Sequence, residues 1–330
     1  QYSFIIPVFN RPEEIDELLS SLLIQDFSKT FEIVIIEDGS TQSSEHIVKT
    51  YADRLNISYY YKENSGPGDS RNYGMKKAKG NYFLILDSDC VLPKEYLSEV
   101  DRALKRNYVD CFGGPDAAHE SFSDLQKAIN YVMTSFLTTG GIRGSEKSVD
   151  KFQPRSFNMG LSRKAFEDTN GFGKIHPGED PDLTIRLWKA GFETSFISKA
   201  YVFHKRRISW KKFYQQVQKF GKCRPILNHW HPETKKITYW FPTVFVFSVL
   251  VAVLASTMGI YVFSCLLAFY LIVVFIDASL KNRSFLIGFQ AVIALFIQFF
   301  GYGLGFLLAT IKIALLKKKP QEAFPYLFFK

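Results

Sequence analysis

The sequence predicts an α/β domain, a mainly parallel sheet with flanking helices, followed by C-terminal transmembrane helices. Near-continuous apolar strands alternate with amphipathic helices through the first part of the chain, the pattern of a parallel sheet covered on both faces. Beyond it, from Tyr239 to Leu316, the chain is almost wholly apolar, relieved mainly by Asp277, the cluster Lys281, Asn282 and Arg283, and Lys312. Two runs there, Trp240 to Ile276 and Phe285 to Leu316, each exceed the roughly 20 residues that span a bilayer.

The elements follow in order. "YSFIIPVF" reads as a strand, and "PEEIDELLSSLLIQ" as a helix opened by Pro and acids with Ile15, Leu18, Leu19 and Leu22 at helical spacing. "FEIVIIEDGS" is a second strand and "SSEHIVKTYADRL" a second helix. "NISYYYKE" is a third strand, followed by "GPGDSRNYGMKKAKG", a helix closed by Gly80, and by the strand of "NYFLILDSD". "VDCFGGP" reads as another strand and "SFSDLQKAINYVMTSFLTTG" as a helix. "GIRGSEKSVDK" is a polar, glycine-bearing loop of the kind that covers a site. "RSFNMGLSRKAFEDTNGFGKIHPGEDPDLTIRLWKAGF" packs a strand, a helix, a Gly-rich turn and another helix. There is no internal repeat.

The 330 residues carry a formal charge of +9, unevenly placed: Lys205 to Arg224 holds eight Lys or Arg and no Asp or Glu. Directly before apolar segments, such a patch fits anionic headgroups better than nucleic acid. Four scattered cysteines without a CxxC pair argue against a disulfide framework or structural zinc. The opening "QYSFIIPVFN" has no charged n-region or small-residue cleavage site, so the first 238 residues are expected to stay on the side where the chain is made.

No GxxxxGK[ST] occurs, and no GxGxxG follows the first strand, so P-loop and dinucleotide readings lose support. In parallel sheets ligands bind at the carboxyl ends of strands, where Asp38 and the pair Asp87 and Asp89 lie. Two carboxylates one residue apart repel each other unless a cation or donors compensate; the bland alternative is a solvated Asp-Ser-Asp turn.

"FIIPVFNR", "EIVIIEDGS", "ENSGPGDSRNYGMKKAKGNYFLILDSD", "SFNMGLSRKAFEDTNGF", "GEDPDLTIRL" and "YVFH" follow one another at suitable spacings. Together they resemble family 2 glycosyltransferases of the GT-A fold, over roughly residues 2 to 225. The apolar tail resembles membrane-anchored members that build bacterial surface polysaccharides. The resemblance implies a nucleotide-sugar site in the first half, with Asp87-Ser88-Asp89 as the DxD motif and Mg²⁺ or Mn²⁺ bridging it to the diphosphate. It further implies that Asp38 accepts a hydrogen bond from the base, Glu37 replacing a commoner aspartate beside it. Pro7, Phe9 and Asn10 would line the nucleoside pocket, and Arg71 would reach the base or phosphates. In "GEDPDL" it implies Asp180 as general base and Glu179 as a contact to acceptor or donor sugar; by itself a first-turn acid pair equally serves helix capping. His204 would complete the metal or diphosphate site. "QQVQKF" departs from the QxxRW signature of processive synthases and reads as an interfacial amphipathic helix.

The resulting expectation is an inverting, metal-dependent hexosyltransferase. It uses a nucleoside-diphosphate sugar, a UDP-sugar, and a saccharide or lipid-linked saccharide acceptor, and it touches membrane lipids but no nucleic acid. Residues 1–204 form the GT-A domain, with 1–115 binding donor and 116–204 binding acceptor. Residues 205–238 form the interfacial segment, 239–316 the transmembrane region and 317–330 a basic tail. The expected location is a multi-pass bacterial inner-membrane protein with its catalytic domain cytoplasmic. A turn at Ser256–Gly259 would make the first apolar run a hairpin, and a re-entrant turn near "GYGLG" would return Lys317 to Lys319 to the cytosol. The rivals are a polyprenyl-phosphate glycosyltransferase, whose anionic acceptor needs no base, and a non-catalytic nucleotide-sugar-binding subunit.

Overall fold

The computed structural model describes residues 1–117, 122–140, 151–204 and 209–329, with His204 described by its backbone only. It divides into two compact units: 1–119, 144–205 and 328–330 form the first, and 120–143 with 206–327 the second.

The first unit is built on a seven-stranded sheet. β1 (Tyr2–Val8), β2 (Glu32–Asp38), β3 (Ile57–Lys62) and β4 (Tyr82–Leu86) run parallel in the order β3-β2-β1-β4. Two short strands follow in sequence, β5 (Cys90–Val91) and β6 (Cys111–Gly113), then β7 (Asp116–Ala117) and β8 (Asn158–Ser162). β8 is antiparallel to both β4 and β6, and β9 (Thr194–Phe196) completes the edge parallel to β6. The sheet is therefore parallel in its first half and mixed in its second. β10 (Val202–His204) joins β5 and β7 in a small second sheet.

Period-two alternation sends successive strand residues to opposite faces. Phe4, Ile6, Ile33, Ile35, Leu84 and Leu86 pack on one side with α1 (Pro12–Leu23), α2 (Glu45–Tyr51) and α4 (Tyr96–Arg106). Ile5, Val34, Ile36, Phe83 and Ile85 pack on the other with α3 (Pro67–Lys77), α7 (Arg163–Thr169) and α8 (Glu179–Lys189). This is the expected two-faced sandwich. Gly80 does not close α3, which ends at Ala78 in extended conformation; a Cβ on Gly80 would meet Ser3 Oγ at 2.4 Å, so close approach to β1 is its reason.

The second unit is helical. The segment expected as one helix is broken at Ser135 into α5 (Asp124–Thr134) and α6 (Phe136–Thr139). Its apolar stripe of Ala128, Ile129, Val132 and Met133 shares a core with Phe213, Val217, Ala291, Ala294 and Phe299. Residues 122–140 therefore cluster with the apolar helices, not with the acceptor half of the sheet domain to which the sequence-based partition assigns them. α9 (Trp210–Trp230) buries Phe213 and Val217 and exposes Lys211, Lys212 and Lys219, as an interfacial helix does.

Among the described residues, three stretches are long and apolar enough to cross a membrane: Ile237–Thr257, Val262–Asn282 and Phe285–Leu315. α10 (Phe241–Thr257) and α11 (Val262–Asn282) form the expected hairpin. α12 (Phe285–Thr310) runs unbroken through Gly301, Gly303 and Gly305, so no re-entrant turn forms there. These glycines serve packing. Added Cβ atoms would meet Val217 at 2.6 Å, the Pro242 carbonyl at 2.7 Å and the Gln218 carbonyl at 2.6 Å.

Candidate active site

The predicted residues of the first unit lie at the carboxyl ends of β1, β2 and β4 and the N-terminal turns of α3 and α8, in separate groups of contacts of which one joins Asp87, Arg71 and Glu179. At the end of β1, Asn10 takes the left-handed conformation (φ 53°). Its Oδ1 accepts from Thr41 N at 2.8 Å and Gln42 N at 2.9 Å, fixing the loop after β2. Phe9 is 49% exposed, an open ring suited to stacking; Pro7 lies within β1, paired with Ile36.

Asp38 is 3% exposed. Its Oδ1 accepts from Lys62 Nζ at 2.7 Å and Ser65 N at 3.0 Å, and its Oδ2 from Gly66 N at 3.0 Å. Three donors fill three of a carboxylate's roughly four lone-pair positions, which leaves Oδ2 one acceptor position for a ligand. Glu37, wholly buried, is turned away from that role: it accepts from Ser40 Oγ, from Ser44 N at 2.9 Å, from Ser44 Oγ and from Tyr59 OH at 3.0 Å.

The repulsion between Asp87 and Asp89 is met by arginines. Arg71, 3% exposed, donates to Asp87 Oδ1 at 2.6 Å, and Arg11 pairs with Asp89. The same Arg71 reaches Glu179 at 3.3 Å, whose Oε1 lies 2.8 Å from His176 Nδ1. Asp87, Arg71, Glu179 and His176 thus form one chain of charged contacts from the end of β4 to the start of α8. Arg71 also sits 5.3 Å above the Phe172 ring. Burial alone would lower the Arg71 pKa, but Asp87, Glu179 and Asp180 hold it above its usual value.

Glu179 and Asp180 are adjacent yet opposite in character. Burial pushes Glu179 up, but His176 and then Arg71 outweigh it and hold the carboxyl at about 2. Asp180 is raised, first by burial and then by the Glu179 charge, with Arg71, Arg155 and Ser156 offsetting part. Its Oδ1 is buried with no hydrogen-bond partner among the described residues. Environments that push neighbouring carboxyls apart mark acid–base sites. Asp182 is structural, pairing with Arg186 at 2.9 Å, and Arg186 donates to the Thr169 and Gly171 carbonyls.

Two carboxylates at a strand end, each sharing its charge with an arginine, fit a hard divalent cation that takes its other ligands from phosphate and water. Among the described residues no group of three or more His, Cys, Asp or Glu could hold a metal alone. The backbone of His204 pairs opposite Cys90, next to Asp89. The His204 side chain and the loop 141–150 lie outside the described residues. Sequence reasoning passed over Arg11, Lys62 and His176. Arg11 stands inside a quoted motif and His176 between two of them, but nothing local reveals a partner 78 residues away, as for Arg11 and Asp89.

Residues 3–169, just over half the chain, match the profile of "Glycosyl transferase family 2". The chain belongs to this family. Among curated relatives, the poly(ribitol-phosphate) beta-N-acetylglucosaminyltransferase TarS of Staphylococcus aureus (strain Mu50) is 38% identical over 113 residues, 33% of this chain and 20% of TarS. The match therefore spans about a fifth of that relative's length. The GalNAc(5)-diNAcBac-PP-undecaprenol beta-1,3-glucosyltransferase of Campylobacter jejuni is 26% identical over 205 residues, 60% of this chain and 62% of the relative. The mannosyltransferase PcManGT of Pyrobaculum calidifontis, solved with GDP-Man and Mn2+, superposes with a TM-score of 0.64 over 92% of this chain and 86% of its own, at 15% identity. That likeness shows the GT-A-type fold.

Proposed function

We propose that the chain is an inverting glycosyltransferase that moves a sugar from a UDP-sugar to a saccharide or lipid-linked saccharide at a membrane. The observation that carries the reading is Asp180: a raised carboxyl with an unsatisfied buried oxygen, at a helix start joined through Glu179 and Arg71 to the Asp87 end of the donor site. Phe9 and Asn10 frame the nucleoside, and Asp38 offers its remaining acceptor position to the base. Arg71 orients the donor between Asp87 and Glu179. Asp180 accepts the acceptor hydroxyl proton as that oxygen attacks the anomeric carbon, and single displacement inverts the centre. Glu179, fixed as an anion by His176 and Arg71, keeps Asp180 basic and stands ready to accept from a sugar hydroxyl. Asp87 and Asp89, with His204, would hold Mg²⁺ or Mn²⁺, which when bound neutralises charge on the leaving diphosphate.

A lipid-linked saccharide acceptor agrees with the name of the Campylobacter relative and with the apolar helices. An acceptor that is itself a phosphate would leave Asp180 without a task. The proposed location is a multi-pass membrane protein with its sheet domain on the cytoplasmic face. The test is release of UDP from a panel of UDP-sugars by the purified full chain in detergent or nanodiscs with Mn²⁺, with product anomer read by NMR. Retention of configuration, or equal turnover of Asp89→Ala in EDTA, would overturn the reading.

A further inference from the structure

We infer that Phe328 and Phe329, which follow the apolar helices in sequence, are a working part of the sheet domain. They clamp the turn that carries His176, and Phe329 is a positioning residue acting through His176 on Glu179. The inference rests on the proposed roles of Glu179 and Asp180.

Two backbone links make the clamp. Phe328 pairs antiparallel with Ile175 in an isolated bridge, and Phe329 N donates to the Lys174 carbonyl at 3.0 Å. They set the Phe329 ring 6.0 Å from the His176 ring. On another side the same ring covers Gly66, where an added Cβ would lie 2.3 to 2.5 Å from its carbons. Gly66 has φ +93° and donates its N–H to Asp38. One aromatic ring therefore touches both the loop that holds Asp38 and the imidazole that holds Glu179, beside a cavity lined also by Ser65, Asp69 and Asn72.

The turn needs such a brace. Residues 170–178 lie outside helix and strand and include Gly171 at φ +66° and Gly178 at φ +125°. Glycines leave a backbone soft. His176 reaches Glu179 Oε1 at 2.8 Å from that turn, and catalytic groups misplaced by about 1 Å lose up to about 100-fold in rate. Covering the imidazole with a fixed ring limits where it can point. Residues 328–329 thus belong to the unit whose strands precede the apolar helices in sequence.

The test has two arms on the full-length protein in membranes. In the first, Phe329→Ala is expected to lower kcat about 10-fold or more, and Phe329→Tyr, which keeps the ring, to restore it. Combined with His176→Gln, Phe329→Ala should add no further loss beyond the larger single effect, because both act through one contact. Multiplying losses, or a wild-type kcat in Phe329→Ala, would overturn the positioning role. The second arm needs no activity. Ile175→Cys with Phe328→Cys, in a chain with Cys265→Ser, should form a disulfide on mild oxidation, detected as a linked peptide pair by mass spectrometry. No linked pair would sink the clamp. A linked pair in a protein that transfers no sugar would instead sink the proposed function and leave the clamp standing.

Discussion

Asp180 should trade stability for chemistry, and Asp180→Asn separates the two. The substitution is nearly isosteric, so the packing at the start of α8 is kept. What changes is the charge that burial and Glu179 disfavour. On the kinetic side, loss of a general base costs about 10²- to 10⁴-fold in kcat, while donor binding, the role proposed for Asp38 and Arg71, should be kept. On the stability side, the wild type buries Oδ1 without a partner, and an unsatisfied buried acceptor costs about 1–3 kcal/mol. An amide leaves that position without a partner as well, so the gain comes only from removing the charge that burial and Glu179 disfavour; it should be on the order of 1 kcal/mol, or about 2–4 °C in Tm for a domain of this size. The pH dependence follows from the raised carboxyl. Well above its folded pKa, the group is ionised in both folded and unfolded chains, and the wild type carries the whole penalty. Below the ordinary carboxylate value it is protonated in both, and the penalty is gone. The advantage of Asp180→Asn should therefore be full at neutral pH and fade as pH falls through the window from the raised value to the ordinary one. Thermal unfolding without donor, from pH 8 to pH 4, alongside steady-state kinetics, measures both. A lower Tm at pH 8 would refute the strained-carboxylate argument, and an unaltered kcat would remove Asp180 as base.

Arg71→Lys keeps the charge but loses the planar fork that reaches Asp87 and Glu179 together; turnover should fall at least about 10-fold with a lowered Tm, and full activity would separate Arg71 from the mechanism. Glu37→Gln removes a buried anion that holds the loop after β2 and should cost about 1–3 kcal/mol in stability with kcat unchanged, read by thermal unfolding and initial rates. A cysteine placed after Lys319 in a variant lacking the four native cysteines should resist a membrane-impermeant thiol reagent in intact cells, because the Phe328–Ile175 bridge returns the tail to its starting side. Labelling there would mean an odd number of crossings.

The parallel half of the sheet was legible because each strand is an apolar run bounded by turn residues, and β1 to β4 fall within the quoted segments. The site was legible where chemistry is local: Asp87 and Asp89 one residue apart at a strand end, Glu179 and Asp180 opening a helix. What escaped was the identity of partners. The stripe of α5 reads as a buried helical face, yet the same stripe serves against a sheet or against apolar helices, and only the fold shows that it packs with Ala291 and Phe299. Gly301 to Gly305 read as a breaker in a short window, whereas close approach to α9 and α10 is what they permit. Charge compensation is the deepest case. Asp87 and Asp89 announce that a positive group must be near, because two desolvated carboxylates cannot stand alone. They do not say which: a cation from solution, Arg71 16 residues back or Arg11 78 residues back meets the demand equally. The structure shows both arginines already there. Each carboxylate is therefore already paired with an arginine, and Arg71 reaches Glu179 as well, so displacing it would disturb the Asp87 and Glu179 ends of the candidate site together.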